Sequence, residues 1–229
     1  MKSSRAPGRP NKSLITKKKI VSAALDLISS SGYDGLTMAA LARSLGVVPS
    51  ALYNHVSGRE ELLLSIEDAV MGQVDSAPLR AAIDGELPYR TALEQWAWSY
   101  REAFSDHAPL IHIIAVLPIT GTRQTVDMYE SLVRVLQLAG VPEAQILPRI
   151  VALESFIYGS AYDVRAPENI FLADAIQAPA LATAREALAR STGEGEESDG
   201  AAYPKGRNPH ADEPFRLGLN SLLADLPND

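Results

Sequence analysis

Residues 41–63 read LARSLGVVPSALYNHVSGREELL, and the glycine in the middle constrains the fold more than any other feature of the chain. Leu41 and Leu45 lie one helical turn apart and stop at Gly46; after Pro49, Leu52 and Val56 again lie one turn apart. Proline's fixed φ and missing N–H suit the first turn of a helix, so the second piece starts near Pro49 or Ser50. Thr37 can cap the first piece. Ser57-Gly58-Arg59-Glu60 has the spacing of a capping box, Ser57 bonding the amide of residue 60 and Glu60 reaching back, and it opens a helix with Leu62, Leu63, Ile66 and Val70 on one side. Upstream, Ile20, Ala24, Leu27 and Ile28 recur at helical spacing over residues 17–31, with Gly32 as a stop.

Two short helices joined at a glycine have the geometry of a helix-turn-helix, in which the second helix offers its outer face to the major groove. With Leu52 and Val56 facing inward, Pro49, Ser50, Tyr53 and Asn54 face outward and His55 lies at the edge. Small residues at the helix start let its backbone approach DNA closely. Asn54 can pair N6 and N7 of adenine, Ser50 can bond a base or a phosphate, and Tyr53 and His55 suit phosphate oxygens, Tyr53 alternatively a thymine methyl. No arginine lies on this face, which argues for modest base discrimination or for help from shape readout. A surface corner of a helical bundle would show the same spacing.

Charge favours the DNA reading. Of 21 Lys+Arg and 28 Asp+Glu, residues 1–60 hold nine and three, a basic head on an acidic body, which suits a head that alone meets a polyanion or a surface that is merely dipolar. The absence of cysteine removes disulfides and thiolate metal sites and fits a reducing cytosol. The polar, basic start MKSSRAPGRPNKS does not read as a secretory signal. The longest apolar run, residues 110–119, contains His112 and Pro118 and is too short to span a bilayer. The expectation is a cytoplasmic protein with no membrane partner.

The stretch ITKKKIVSAALDLISSSGYDGLTMAALARSLGVVPSALYNHVSGREELL resembles the DNA-binding domain of the TetR family of bacterial transcriptional regulators. The resemblance rests on the segment from Ala24 to Thr37, the turn from Leu41 to Val47, and Leu52 to Val56 ahead of a capped helix. It implies that Thr37 and Tyr53 contact phosphate, that Ser50, Ala51 and Asn54 lie along the groove, and that Arg59 clamps the backbone. His55 occupies the family's histidine position. Lys17, Arg43, Val48, Pro49 and Arg9 complete the candidate DNA-binding set. Ala39 and Pro49 stand where the founding member has a base-reading arginine and a glutamine, which implies a different operator. Ahead of the first helix, Arg5 to Lys12 is similar to an AT-hook with Arg9 in a narrow minor groove, or is an ordinary basic tail.

Beyond Val70 the helices lengthen. Tyr89, Ala92, Leu93, Trp96, Tyr100 and Ala103 share a face of a helix ending near Asp106, and Val126, Tyr129, Val133 and Leu136 share a face of another that stops at Gly140. Ile146, Ile150, Leu153, Ile157, Ala161 and Val164 form a stripe over residues 143–164, and projection at about 100° per residue puts Glu154 inside it. A carboxylate there needs a partner: a cationic ligand group, a neighbouring arginine, a twofold mate, or solvent if the helix is shifted. The candidate ligand-binding set is Trp96, Tyr100, Phe104, His107, His112, Tyr129, Glu154 and Tyr158. Residues 191–214, rich in Gly, Glu and Ser, read as a mobile loop. A last helix carries Phe215, Leu219, Leu222, Leu223 and Leu226 at helical spacing, a stripe that closes the core or meets a second subunit. By the family resemblance, Ile157, Ala161, Phe215, Leu219, Leu222 and Leu226 form a homodimer interface.

The expected architecture is all-α: a basic arm over 1–14, a three-helix helix-turn-helix domain over 15–72, and a larger helical ligand-binding and dimerisation domain over 73–229. The expected function is a ligand-responsive regulator, a repressor released from a palindromic operator on double-stranded DNA by a small-molecule effector, with no cofactor and no metal. An activator, an architectural DNA-binding protein without a ligand, and a helical enzyme are the alternatives. For the enzyme, His107 and His112 lie five apart rather than four, and no nucleophile elbow, phosphate loop or paired carboxylates appear, so no catalytic residue is assigned.

Overall fold

The computed structural model describes residues 15–119, 123–167, 175–192 and 207–227. Among these residues the regular structure is helical. α1, Lys17–Ser31, begins at Thr16, whose hydroxyl accepts from the amide of Lys19, and buries Ile20, Val21, Ala24 and Ile28. A 3-10 turn, Tyr33–Gly35, leads to α2, Met38–Ser44, where Thr37 Oγ1 accepts from Ala40 N at 3.0 Å. Gly46 then turns the chain at φ +66°, a left-handed conformation that a side chain disfavours, into α3, Pro49–Leu52. α3 is a single turn. Tyr53, Asn54 and His55 leave it in a turn, since Asn54, Ser57 and Gly58 are poor helix formers, yet Val56 still folds inward with its amide on the Leu52 carbonyl.

α4, Arg59–Met71, opens one residue out of the expected register. Gly58 is its N-cap with no side-chain cap, and the carboxylate that reaches back belongs to Glu61 rather than Glu60. Glu61 is the third residue of this helix, so the Ser57 amide donates to its Oε2 at 2.7 Å, while its Oε1 takes the Lys17 ammonium at 3.0 Å. Those contacts hold its carboxyl down at about 2, the Ser57 amide first and Lys17 next. The start of α1 is thereby tied to the start of α4.

The remaining helices are α5, Ala77–Ile83; α6, Tyr89–Ser105; α7, Ile111–Ile114; α8, Arg123–Leu138; α9, Glu143–Asp163; α10, Pro179–Thr192; and α11, Asp212–Leu222. Among the described residues no helix is long and apolar enough to cross a membrane. Packing divides the chain into two units. The first is Met1–Gly72 with Pro109–Val126, and the second is Gln73–Ala108 with Asp127–Asp229. The expected second region, 73–229, is therefore not one packed body: α7 and the first turn of α8 belong with the helix-turn-helix. Asp68 of α4 explains part of this, because its Oδ1 accepts from the amides of Gln124 at 3.0 Å and Thr125 at 3.4 Å and so caps α8 from another helix.

In the second unit, Ile146, Ile150, Leu153, Ile157, Ala161 and Val164 are all buried, as the stripe on α9 predicts. On α8 the buried residues are Thr125, Met128, Leu132, Val135 and Leu136, whereas Val126 and Val133 lie off the core. The expected face is turned because Tyr129 carries its hydroxyl to Glu154 at the core's edge. Of the expected loop over 191–214, residues 193–206 lie outside the described residues. Its ends are built otherwise: α10 runs to Thr192, and α11 starts at Asp212, where Arg207 bridges Glu102 at 2.7 Å and Asp212 at 3.1 Å.

Five of the six expected dimer-interface residues, all but Leu222, are a correction. Ile157, Ala161 and Phe215 are fully buried within the single chain, Leu219 and Leu226 nearly so, and Leu222 is half-buried. These stripes are consumed by the chain's own core. Phe156 stacks on Phe215 at 5.3 Å, and a Cβ on Gly218 would lie 2.3 Å from the Phe156 ring, so glycine is what lets α11 lie this close to α9.

Candidate nucleic-acid interface and candidate ligand site

The helix-turn-helix presents one face. Leu52 and Val56 are buried beneath it, and Val48, Pro49, Ser50, Tyr53 and Asn54 stand exposed above, with Ala51 and His55 half-buried. Val48 is 65% exposed and Tyr53 53%, large apolar surface that a protein standing alone gains nothing by displaying. Thr37 is exposed although its hydroxyl already caps α2, and Arg43 is exposed on the same helix pair. Arg59 is exposed at the start of α4, and its guanidinium lies over the Tyr33 ring at 4.8 Å, which fixes where the charge points. Lys17 spends its charge on Glu61. Arg9 lies outside the described residues.

Six of the eight expected ligand residues come together in the second unit. Trp96, Tyr100 and Phe104 on α6 are fully buried, and Tyr129, Glu154 and Tyr158 are half-buried at their edge. Tyr100 Oη donates to Glu154 Oε1 at 3.0 Å, Tyr129 Oη donates to the same oxygen, and the Tyr100 and Tyr158 hydroxyls are 2.8 Å apart. Burial pushes the Glu154 carboxyl above its ordinary range, although both hydroxyls favour its charged form. Burial and the Glu154 charge hold Tyr100 and Tyr129 well above the usual phenol range. Within the chain, the partners of Glu154 are therefore two tyrosines rather than an arginine.

The two histidines are elsewhere. His107 is 3.2 Å from the Gln73 side chain, and burial lowers its pKa. His112 is exposed in the first unit, edge-on to Tyr33 with ring centroids 6.1 Å apart, because α7 packs there. Among the described residues no group of His, Asp and Glu is arranged to hold a metal.

Two residues of consequence had no place in the sequence expectation. Tyr33 sits in the Gly-Tyr-Asp-Gly segment and orients both Arg59 and His112. Arg101 is fully buried on α6, paired to Asp212 at 2.7 Å, donating to the Ala211 carbonyl at 2.8 Å, and lying 4.8 Å over the Phe215 ring. Its place among the apolar positions of α6 is the signal that identifies it, the same signal that singles out Glu154 on α9.

Residues 20–66 match the family described as bacterial regulatory proteins, tetR family, and residues 84–204, more than half of the chain, match the tetracyclin repressor-like C-terminal domain. The chain belongs to the TetR family. The HTH-type transcriptional repressor DrrR1 of Streptomyces coeruleorubidus is 27% identical over 75% of the chain; the match covers 63% of DrrR1, so the chain spans less than two thirds of that curated relative's length. Among solved structures, the Streptomyces coelicolor TetR family protein ActR in complex with actinorhodin has a TM-score of 0.65 at 20% identity, covering 93% of this chain and 95% of that one. BioQ with its double-stranded DNA operator has a TM-score of 0.56 at 22% identity, covering 77% and 99%. At these identities the structural likeness speaks to the fold.

Proposed function

We propose that the chain is a ligand-responsive DNA-binding regulator of transcription, acting in the bacterial cytoplasm as a homodimeric repressor that leaves a palindromic operator when a small molecule binds its second unit. The observation that carries this reading is the exposed row Val48, Pro49, Ser50, Tyr53 and Asn54 held over buried Leu52 and Val56 behind a glycine turn. Support comes from DrrR1, named as a repressor, from BioQ on its operator, and from ActR with actinorhodin. The reading involves no cofactor, metal or catalytic step.

A palindrome needs a twofold pair of recognition helices, and hence a self-complementary face. The face we assign is the outward side of the same two helices whose inward stripes fill the core. On α9, Leu147, Val151 and Tyr162 are 68%, 61% and 47% exposed, and on α11 Leu217 is 55% exposed.

Coupling follows from α8, one continuous helix. Its first turn is held by Asp68 of α4 beside the helix-turn-helix, and Tyr129, farther along, bonds Glu154. A ligand that displaces Tyr129 pulls on the helix that Asp68 caps. A ligand favouring the arrangement that misplaces the recognition helices weakens DNA binding by the factor by which DNA weakens ligand binding, typically about 1–3 kcal/mol.

The test is a comparison of two exposed neighbours. Asn54→Ala is expected to cost about 1–3 kcal/mol on the operator and to relax preference at one base pair, while Tyr53→Ala, which removes a phosphate contact, weakens operator and random DNA alike. Equal losses for Asn54→Ala on operator and random duplex would remove the base-reading role.

A further inference from the structure

The hydroxyl protons around Glu154 can be counted. Tyr129 gives its one proton to Glu154 Oε1, and Tyr100 gives its own to the same oxygen. The 2.8 Å contact between Tyr100 and Tyr158 must then use the Tyr158 proton, donated to the Tyr100 oxygen. Two of the three protons run to one carboxylate oxygen, and the third runs to Tyr100. No hydrogen bond among the described residues reaches Oε2, and no basic side chain among them pairs with Glu154.

What the cluster leaves facing outward is an acceptor with a negative charge. The rings beside it are aromatic and packed on one another: Tyr100, Phe104 and Tyr158 have ring centroids 4.8 to 5.7 Å apart. Rings with a carboxylate at their edge favour a cation over a neutral group of the same shape, through the ring quadrupoles and a charge-assisted hydrogen bond. A second observation is independent of the carboxylate. The indole N–H of Trp96, fully buried and 5.4 Å edge-on from Tyr100, has no acceptor among the described residues. A buried donor left unmatched is costly, and an acceptor atom on an incoming molecule would relieve it. Glu154, Tyr129 and Tyr158 are only half-buried, so the carboxylate is reached from solvent without opening the core beneath.

We propose that this cluster recognises a protonated amine carried on an aromatic body, with Glu154 as the counter-ion and Tyr129 and Tyr158 as the rim. The proposal rests on the second unit being a sensor, and gives that sensor's ligand a chemical class.

The test uses the full chain and three probes of one shape: 1-naphthylmethylamine, which is cationic at pH 7, neutral 1-naphthylmethanol and anionic 1-naphthoate, titrated calorimetrically into wild type, Glu154→Gln and Tyr129→Phe. Wild type is expected to bind the amine about tenfold or more tighter than the alcohol and to exclude the carboxylate. Glu154→Gln keeps the shape and an acceptor but lacks the charge, and is expected to bind amine and alcohol alike. Tyr129→Phe, which keeps the carboxylate, is expected to retain the amine preference. Equal binding of amine and alcohol to wild type, no binding of the amine, or an amine preference that survives Glu154→Gln would each overturn the proposal. So would a Glu154→Gln protein that sediments as a monomer with amine binding unchanged, which would move Glu154 to the subunit interface. Operator affinity measured with each probe separates this from the sensor reading. An amine that binds through Glu154 yet leaves operator affinity unchanged supports the site and removes the sensor, whereas release by the alcohol or the carboxylate alone keeps the sensor and removes the amine.

Discussion

Asp212→Ala tests how the second unit holds its last helix. Arg101 is completely buried, and its charge is answered by Asp212 at 2.7 Å, the Ala211 carbonyl at 2.8 Å and the rings of Phe215 and Trp98 at 4.8 and 5.3 Å. Breaking a buried pair from one side costs about 3–5 kcal/mol, because the remaining charge is left without compensation. Here the Asp212 side chain is 36% exposed and Arg101 keeps the Ala211 carbonyl, so the expected loss is about 2–3 kcal/mol. At about 2–4 °C per kcal/mol for a chain of this length, that is a fall of roughly 5–10 °C in melting temperature, read by the fluorescence of Trp98, on which Arg101 lies. Arg101→Met should cost less, about 1–2 kcal/mol, since Asp212 is then left partly solvated and still bonded to Arg207 at 3.1 Å. Burial pushes the Asp212 carboxyl up, but Arg101 and Arg207 outweigh it and hold the group below its ordinary range. The pair's contribution is therefore present above the usual aspartate range and fades as pH falls through the lowered value, so wild type and variant should converge in acid. A variant that melts within about 1 °C of wild type at neutral pH, well inside that roughly 5–10 °C expectation, would refute the buried-charge argument.

Three further outcomes are expected. Glu67, 3% exposed on α4 with Oε2 unbonded, has its carboxyl pushed up to about 7 by burial, with Asp68 adding to it; stability tied to it is lost as pH rises from the ordinary glutamate range through 7. Glu67→Gln should thus stabilise the protein by up to about 3 kcal/mol at pH 8 and hardly at all near pH 4, measured by urea denaturation at both values. Gly46→Ala should cost about 1–2 kcal/mol, from its left-handed φ of +66°, and weaken DNA binding with it; equal stability would mean that the turn can rearrange. Leu217→Glu, at a position 55% exposed, should leave the helical circular dichroism intact and convert dimers to monomers in sedimentation velocity; a persistent dimer would move the interface off α11.

Much of this was legible in the sequence where one physical demand acts on one stripe. The α9 residues from Ile146 to Val164 form one dense apolar stripe, and wheel projection puts Glu154 inside it, whereas the structure leaves it half-buried with two tyrosines bonding it. Gly46 and Thr37 are local signals, and their geometry follows from their chemistry. The face we assign to the dimer could not be read from the sequence, because the denser apolar side of α9 and α11 belongs to the chain's own core; Leu147, Val151 and Leu217 are too sparse to announce a second. α5 has only seven residues, and α10 buries Ala182 with little else, so neither carries a strong period. His112 left the expected pocket because α7 packs with the first unit, a tertiary choice to which periodicity is blind.

The central claim is that Ser50, Tyr53 and Asn54 are delivered in pairs to DNA. Selection of bound duplexes from a random double-stranded pool tests it most directly. The account predicts an enriched palindrome whose half-sites lie about one helical turn or a multiple of it apart, lost from the pool selected by Leu217→Glu and blurred at one symmetric base pair for Asn54→Ala. Enrichment of no sequence, or of a single asymmetric site bound by one protomer, would contradict it.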